Sequence, residues 1–555
     1  MKRLLLLLSA IALLPSLSAQ KNHNFEVAKN LDIFNSIYNN LDLYYVDSLD
    51  AEKNIGNAIL YMLDRLDPYT EYYAEEHTRD LRQMTTGKYA GIGSPIVYRK
   101  SLDRCIFSYP YEGMPAAQAG VRSGDIILAV DGKDLGLCGS QEVGKYTSSV
   151  SNALRGEPGT TFELKVQRPG LEKPLSFRLT RRTIEQPSVV FSTMLEDSVG
   201  YVLLRSYTEN TVRDLRRVLV ELKTSGMKRL VLDLRGNPGG LMLEAVNMVN
   251  LFLPRGCEVL STKGKDPKHN MVYKTSGEPF DAAMPLVVLV NYGTASAAEI
   301  TSGALQDYDR AVVVGQRTFG KGLVQEPREL PYKAMLKLTT SKYYIPSGRC
   351  IQAYDFKNRN ADGQPRHLPD SLCKAFKTAG GRIVYDGGGI TPDVKVDIDS
   401  LPGFLSELKY SDALFDFCAD YCNRHEDIAK PTSFQLSDQE FEDFKAFLKK
   451  QNFTYSQRSK EMFKMLRQMA QFEGYAETAK EEFDALEKKL SRNLDDDLAL
   501  WEKEVRKAIE ADIIANRYYE RGVVERSLAT DKELKKALEI LHNEPLYRSL
   551  LQPQP

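Results

Sequence analysis

Between about residue 183 and residue 396, short continuous apolar runs alternate with amphipathic stretches, and several of the runs end in glycine-rich turns. This feature constrains the chain most. Tyr201-Leu204, Leu230-Leu234, Leu286-Val290 and Ala311-Val314 are apolar strand candidates. Val212-Leu222, Leu243-Phe252 and Ala297-Leu305 lie between them at helical spacing. Strand-helix alternation of this kind predicts an α/β layer.

The flanking regions differ in texture. Residues 20–84 read as a helical segment, with Ile33, Ile37 and Leu41, then Ile55, Ile59 and Leu63, on recurring helical faces. Residues 85–182 are β-rich and punctuated by glycine, with a strand expected over Thr161 to Arg168. Beyond Asp397 glycine and proline thin out, and Phe483, Leu486 and Leu490, or Trp501, Val505 and Ile509, mark helical stripes. Residues 397–555 are therefore expected to form a helical domain. For 555 residues, this layout of several domains agrees with a prior of roughly 150 residues each.

Charge and address exclude whole classes of function. Lys and Arg number 74 and Asp and Glu 75, a net of −1, which excludes a nucleic-acid binder held by bulk positive charge. Lys2 and Arg3, the 11-residue apolar run Leu4 to Leu14, then Pro15 and Ser16-Leu17-Ser18-Ala19 predict a secretory signal peptide over residues 1–19. The chain is expected to be exported, to a bacterial periplasm or cell envelope. The seven cysteines are an odd, sparse set that implies no disulfide framework, and Cys418, Cys422 and His425 lack the spacing of a zinc site. No metal and no cofactor is expected.

Three segments of the α/β portion can carry chemistry. Val231-Leu232-Asp233-Leu234-Arg235-Gly236-Asn237-Pro238-Gly239-Gly240 runs a buried strand into a turn that can present N–H groups to a phosphate or to an oxyanion. It has neither the Lys-Ser/Thr end of a P-loop nor a dinucleotide fingerprint. In Asn291-Tyr292-Gly293-Thr294-Ala295-Ser296-Ala297-Ala298-Glu299, a strand gives way to a helix whose N-terminus favours developing negative charge. Thr294 or Ser296 could equally serve there as a simple helix cap. Lys321, in Thr318-Phe319-Gly320-Lys321-Gly322-Leu323-Val324-Gln325, sits between two glycines, and desolvation would lower its pKa toward that of a usable base.

Within 85–182, Tyr89-Ala90-Gly91-Ile92-Gly93-Ser94, the run Gly113 to Ile127 and Leu154-Arg155-Gly156-Glu157-Pro158-Gly159 resemble a PDZ domain in their order. The resemblance implies capture of a free C-terminal peptide tail at Tyr89, Ala90, Gly91, Ile92 and Gly93. Taken with the later Gly348-Arg349 and Gly387-Gly388-Gly389-Ile390-Thr391-Pro392-Asp393 runs, the three segments resemble the carboxyl-terminal processing peptidases, also called tail-specific proteases. In that family a serine and a lysine 25 positions later form a dyad, and here 321 − 296 = 25. The usual Ser-Ala-Ser-Ala-Ser-Glu stretch is altered to Thr294-Ala295-Ser296-Ala297-Ala298-Glu299, leaving Ser296 as its one serine.

The resemblance implies a multidomain α/β protein: a ClpP/crotonase-like serine protease core at 183–396, with an inserted β-rich PDZ domain, an N-terminal helical segment and a C-terminal α-helical domain. It implies Ser296 as nucleophile, Lys321 as base and Gln325 as its assistant. Ala297 with Gly239 or Gly240 would hold the oxyanion, and Glu299 and Thr318 would support the site. None of the six histidines falls in a motif near Ser296, and no His-Glu-x-x-His run occurs. Substrates would be proteins or peptides with free C-terminal tails. The C-terminal helices are a candidate surface for an adaptor or for homo-oligomers. The rival reading is an inert PDZ scaffold or holdase on the same fold.

Overall fold

The computed structural model describes residues 2–75, 78, 88–185, 187–397, 402–425, 427–490 and 492–553. The side chains of residues 2–22, on which the expected leader falls, lie outside the described set, as does that of His269. Among the described residues no helix is long and apolar enough to cross a membrane. The chain divides into two compact units, residues 1–75 with 325–339 and residues 76–324 with 340–555.

In the first unit, the helix Lys2–Tyr44 precedes Ala51–Asp64, which Asp50 caps by accepting from Lys53 N–H at 3.0 Å. The apolar stripe read at Ile33, Ile37 and Leu41 forms but is exposed within this unit. Glu71–Tyr73 departs from the helical expectation. It is a strand paired antiparallel with residues 335–337, because Asp67 turns the chain by accepting from the N–H groups of Tyr69 and Thr70, both at 2.8 Å. Two tyrosines in the strand suit a pleated surface.

The second unit is organised by a six-stranded sheet in the order Val189–Leu195, Val199–Leu204, Arg229–Asp233, Leu286–Val290, Val312–Gly315, Val394–Lys395. The first pair is antiparallel and all the others are parallel. The expected strands and helices are all present. Because strand side chains alternate between faces, Val202, Leu204, Leu232 and Val288 join one core with the helices Thr211–Thr224, Met242–Val249 and Ala297–Asp307. Tyr201, Leu203, Val231, Val287 and Leu289 join the other, against Leu534, Ala537, Ile540, Leu541 and Tyr547 of the last two helices, Lys532–His542 and Glu544–Leu550.

Ahead of this sheet, Ile96–Arg99, Arg104–Phe107, Ile126–Val130, Thr161–Gln167 and Leu175–Thr180 form an antiparallel sheet closed by the helix Val143–Leu154 around Phe107, Ile127, Leu164 and Val150. After it, helices from Gly403–Lys409 to Glu502–Ser527 enclose a separate core of Phe404, Phe417, Phe444, Ile509 and Ile513. Cys418 and Cys422 place their Sγ atoms 3.7 Å from the carbonyls of Ile509 and Ile513, as packed helix residues. The β-rich and helical parts meet where buried Arg99 pairs with Asp412 and lies 4.5 Å over the Phe415 ring.

Candidate active site

The parallel strands deliver three turns to one end of the sheet. Leu286–Val290 ends at Asn291, and Thr294 fixes the descent by donating to Leu234 O at 2.8 Å and accepting from Asn291 N–H at 3.0 Å. Its hydroxyl is fully buried and structural, which leaves the nearby half-buried Ser296. Ser296 occupies the N-cap of Ala297–Asp307 with φ 54° and ψ −118°. A positive φ at a non-glycine residue is costly and persists only where its surroundings impose it.

The imposing group is Glu299, which has no exposed surface. Its Oε2 accepts from Ser296 N–H at 2.8 Å and from Lys321 N–H at 2.9 Å. Its Oε1 accepts from Thr318 Oγ1 at 2.5 Å and from Gly320 N–H at 2.7 Å. One carboxylate oxygen thus ties together the backbones of two residues 25 positions apart in sequence. Burial pushes the Glu299 carboxyl up from the ordinary glutamate value, and the four donors resist that rise by stabilising the anion.

The glycines beside Lys321 are required by space. A Cβ on Gly320, whose φ is +86°, would lie 2.4 Å from Ala353 Cβ, and Gly322 N–H donates to Gln352 Oε1 at 2.8 Å. Thr318 Oγ1 accepts from Ile390 N–H at 2.6 Å, joining the second glycine-rich run to the site. Gln325, expected beside the lysine, belongs to the other unit, where its amide donates to Thr339 Oγ1 at 3.2 Å.

The turn after Arg229–Asp233 supplies the remaining groups. Gly239 and Gly240 have φ of +94° and +141°, and a Cβ on Gly239 would lie 2.7 Å from Ala297 N and 2.8 Å from Ser296 Cβ. Gly239 N–H donates to Asn237 Oδ1 at 2.8 Å. Among the described residues, the N–H groups of Gly240 and Ala297 donate to no protein acceptor. Sequence reasoning passed over two residues here. Asn237, fully buried, also donates to Leu204 O at 3.0 Å, and Tyr343 Oη lies 2.8 Å from Lys321 O and 3.4 Å from Ser296 O. Asn237 could have been noticed inside its glycine run, whereas Tyr343 stands in a strand without any motif.

The residues expected to bind a tail surround a cleft of about 380 Å³ between the stretch Tyr89 to Ile96 and the helix Val143–Leu154. Tyr89, Gly91, Ile92 and Gly93 line it, with Leu154 and Arg155 at the helix end. Ala90 lies in the strand Lys88–Gly91 that precedes it. Among the described residues the N–H groups of Ile92 and Gly93 donate to no protein acceptor, and the Tyr111 N–H holds Gly93 O at 2.8 Å. Burial pushes the Tyr89 phenol up to about 12. Of the histidines, His367 packs edge-on against Tyr354, His425 stacks on Tyr421 and His542 faces Asp197 at 3.5 Å.

Comparison with known proteins adds three matches along the chain. The model of peptidase family S41 matches residues 198–358, that of a PDZ domain residues 106–168, and that of "Probable PDZ-protease, C-terminal helical domain" residues 404–541. The carboxy-terminal-processing protease of Bartonella bacilliformis is 36% identical over 349 residues, covering 62% of this chain and 78% of its own. A "Probable CtpA-like serine protease" of Staphylococcus aureus is 35% identical over 353 residues, covering 63% and 68%. Among solved structures, the photosystem II D1 C-terminal processing protease is 29% identical, with 66% of this chain and 88% of that chain covered at a TM-score of 0.35.

Proposed function

The chain belongs to peptidase family S41 as a carboxy-terminal-processing serine protease with a PDZ domain, and from that premise we propose that Ser296 and Lys321 are its catalytic dyad. The observation that carries this reading is the Glu299 Oε2 atom, which accepts from the backbone N–H of both residues. Neutral Lys321 takes the proton of Ser296 as Oγ attacks the scissile carbonyl. The oxyanion is received by Ala297 N–H and Gly240 N–H, whose donors are unspent, while Gly239 N–H is committed to Asn237. The amine leaves with the proton from Lys321. Water, deprotonated by Lys321, then attacks the acyl-enzyme, and Ser296 Oγ leaves with that proton returned from Lys321. Gln325 is assigned by resemblance to steadying the lysine, and Thr318 and Glu299 to holding the backbone.

The substrates in this reading are envelope proteins of an exported protease, supported by the leader expected from the sequence at residues 1–19. Their free C-terminal carboxylate is captured by the N–H groups of Ile92 and Gly93, and the chain end extends along the cleft beside Val143–Leu154. The test compares the mature protein with Ser296→Ala and Lys321→Ala on an unfolded substrate whose apolar tail is either free or amidated, with products weighed by mass spectrometry. Each variant is expected to lose activity by roughly 10⁴-fold or more. The amidated tail is expected to be cut more slowly than the free one. Cleavage surviving in either variant overturns the dyad.

A further inference from the structure

Arg235 opens the turn that carries Gly239 and Gly240, and its side chain is 17% exposed. One edge of its guanidinium is held by Asp233, with Nη2 2.6 Å from Oδ2 and Nε 3.0 Å from Oδ1. The other is held from the far end of the chain. Nη2 donates to Asp531 Oδ2 at 2.6 Å and Nη1 to Glu533 Oε2 at 2.8 Å, both carboxylates being 10% exposed. The backbone of Arg235 is fixed as well. Its N–H donates to Asp233 Oδ1 at 2.9 Å, and its carbonyl accepts from Arg205 Nη1 at 3.1 Å. Arg205 Nη2 in turn donates to Glu520 Oε1 at 2.7 Å.

The turn beyond Arg235 needs such a root. Gly236, Gly239 and Gly240 all adopt positive φ, and glycine gives up more freedom on ordering than any other residue. Asn237 and Asn291, which accept from Gly239 N–H and Gly236 N–H at 2.8 and 2.9 Å, fix the turn from within, and the arginine fork fixes where it starts. Stability alone is a poor reason for the cluster. A buried ion group of this kind can often be replaced by apolar residues without loss, whereas a bidentate fork is selective in geometry.

We infer that Arg235, Asp531 and Glu533 are positioning residues for the oxyanion turn, so that the C-terminal helices form part of the catalytic apparatus. The inference rests on the dyad reading above. A donor displaced from the oxyanion by a fraction of an ångström loses transition-state stabilisation and leaves tail recognition untouched. The test uses the full mature chain carrying Asp531→Asn, Glu533→Gln or both. Asn at position 531 still caps the helix Lys532–His542, where Asp531 now accepts from Leu534 N–H at 2.8 Å.

In the double variant kcat is expected to fall about 10- to 100-fold. Affinity for a peptide boronate, which forms a tetrahedral adduct, should fall in parallel. Affinity for a free-tail peptide at the PDZ cleft stays within twofold. Arg235→Lys, which keeps the charge and loses the fork, is expected to fall between wild type and the double variant. Unchanged kcat and boronate affinity in the double variant overturn the inference, as does a loss that vanishes on cooling well below the variant's Tm. If the double variant does not fold, the two single variants are read by the same criteria. Ser296→Ala run alongside separates the readings, since cleavage surviving there indicts the dyad and not the positioning role.

Discussion

The two faces of the central sheet are both buried and both apolar, yet they are covered by different parts of the chain. On the first face, Val202, Leu204, Leu232 and Val288 pack under helices drawn from residues 211–307. On the second, Tyr201, Val231, Val287 and Leu289 pack under Leu534, Ala537, Ile540, Leu541 and Tyr547. Tyr547 Oη also accepts from Leu286 N–H at 3.0 Å, across 261 residues of sequence. The first face tolerates buried polar groups, with Glu299, Thr301 and Ser302 all at 0% exposure in one helix, because its edge must hold chemistry. The second carries a buried ion cluster at one edge, around Arg235. On the dyad reading proposed above, one cover serves the reaction directly. The other closes the core and, on the positioning role inferred above, reaches the reaction through Arg235.

The sharpest way to break this comparison is to remove the second cover. Deleting residues 529–555 uncovers the sheet beneath Leu534, Ala537, Ile540, Leu541 and Tyr547. Each large apolar side chain is worth about 1.5–3 kcal/mol when buried, so the loss is comparable to the whole stability of roughly 5–15 kcal/mol of a typical domain. The truncated chain is expected to lose its cooperative melt and to aggregate on a sizing column. A soluble, cooperatively folded product would show that the second face is no core at all.

Next in size is Glu299→Gln on the first face. The substitution keeps the shape but turns an acceptor oxygen into a donor amide, set against the four donors that the carboxylate now receives. Steady-state kinetics are expected to show kcat down by roughly 10²-fold or more, with tail affinity unchanged. A variant with wild-type kcat would mean that the Glu299 carboxylate does not position Ser296 and Lys321.

How much of this could be read in advance follows the same division. The strands Leu230-Leu234 and Leu286-Val290 were legible because unbroken apolar runs have few alternatives, and the turns at Gly239 and Gly320 because glycine runs mark turns, these two standing where no side chain fits. The partner of Arg235 was not legible. Asp531 and Glu533 look like an ordinary helix cap and first-turn acid, which Asp531 also is, and nothing local marks them as facing a turn some 300 residues upstream. The strand Glu71–Tyr73 was missed for a related reason, since three residues show no period and the pairing that makes them a strand comes from residues 335–337. Asn237 was in plain view, but its role lies in an N–H it occupies, and that is a fact of geometry.

The smallest expected effect concerns pH, and it separates stability from activity on the first face. Burial raises the Glu299 pKa above its unfolded value of about 4.3. The folded state therefore binds the proton more tightly than the unfolded state. The stability contributed by this group is present in full below the unfolded pKa and is lost as pH rises through the folded one. Activity runs the other way. Protonation removes an acceptor from among Ser296 N–H, Lys321 N–H, Gly320 N–H and the Thr318 hydroxyl, so kcat should fall as pH drops through the raised pKa, above the ordinary carboxylate range. Asp307 and Asp393 are raised by burial too, so the bare melting curve mixes several groups of the same sign. The informative quantity is a difference, wild type minus Glu299→Gln, measured in Tm and in log kcat across the same buffers. The Tm difference should decline with rising pH while the log kcat difference climbs. Parallel movement of the two would mean that the carboxylate is ionised for stability alone, and the first face would then be no more committed to chemistry than the second.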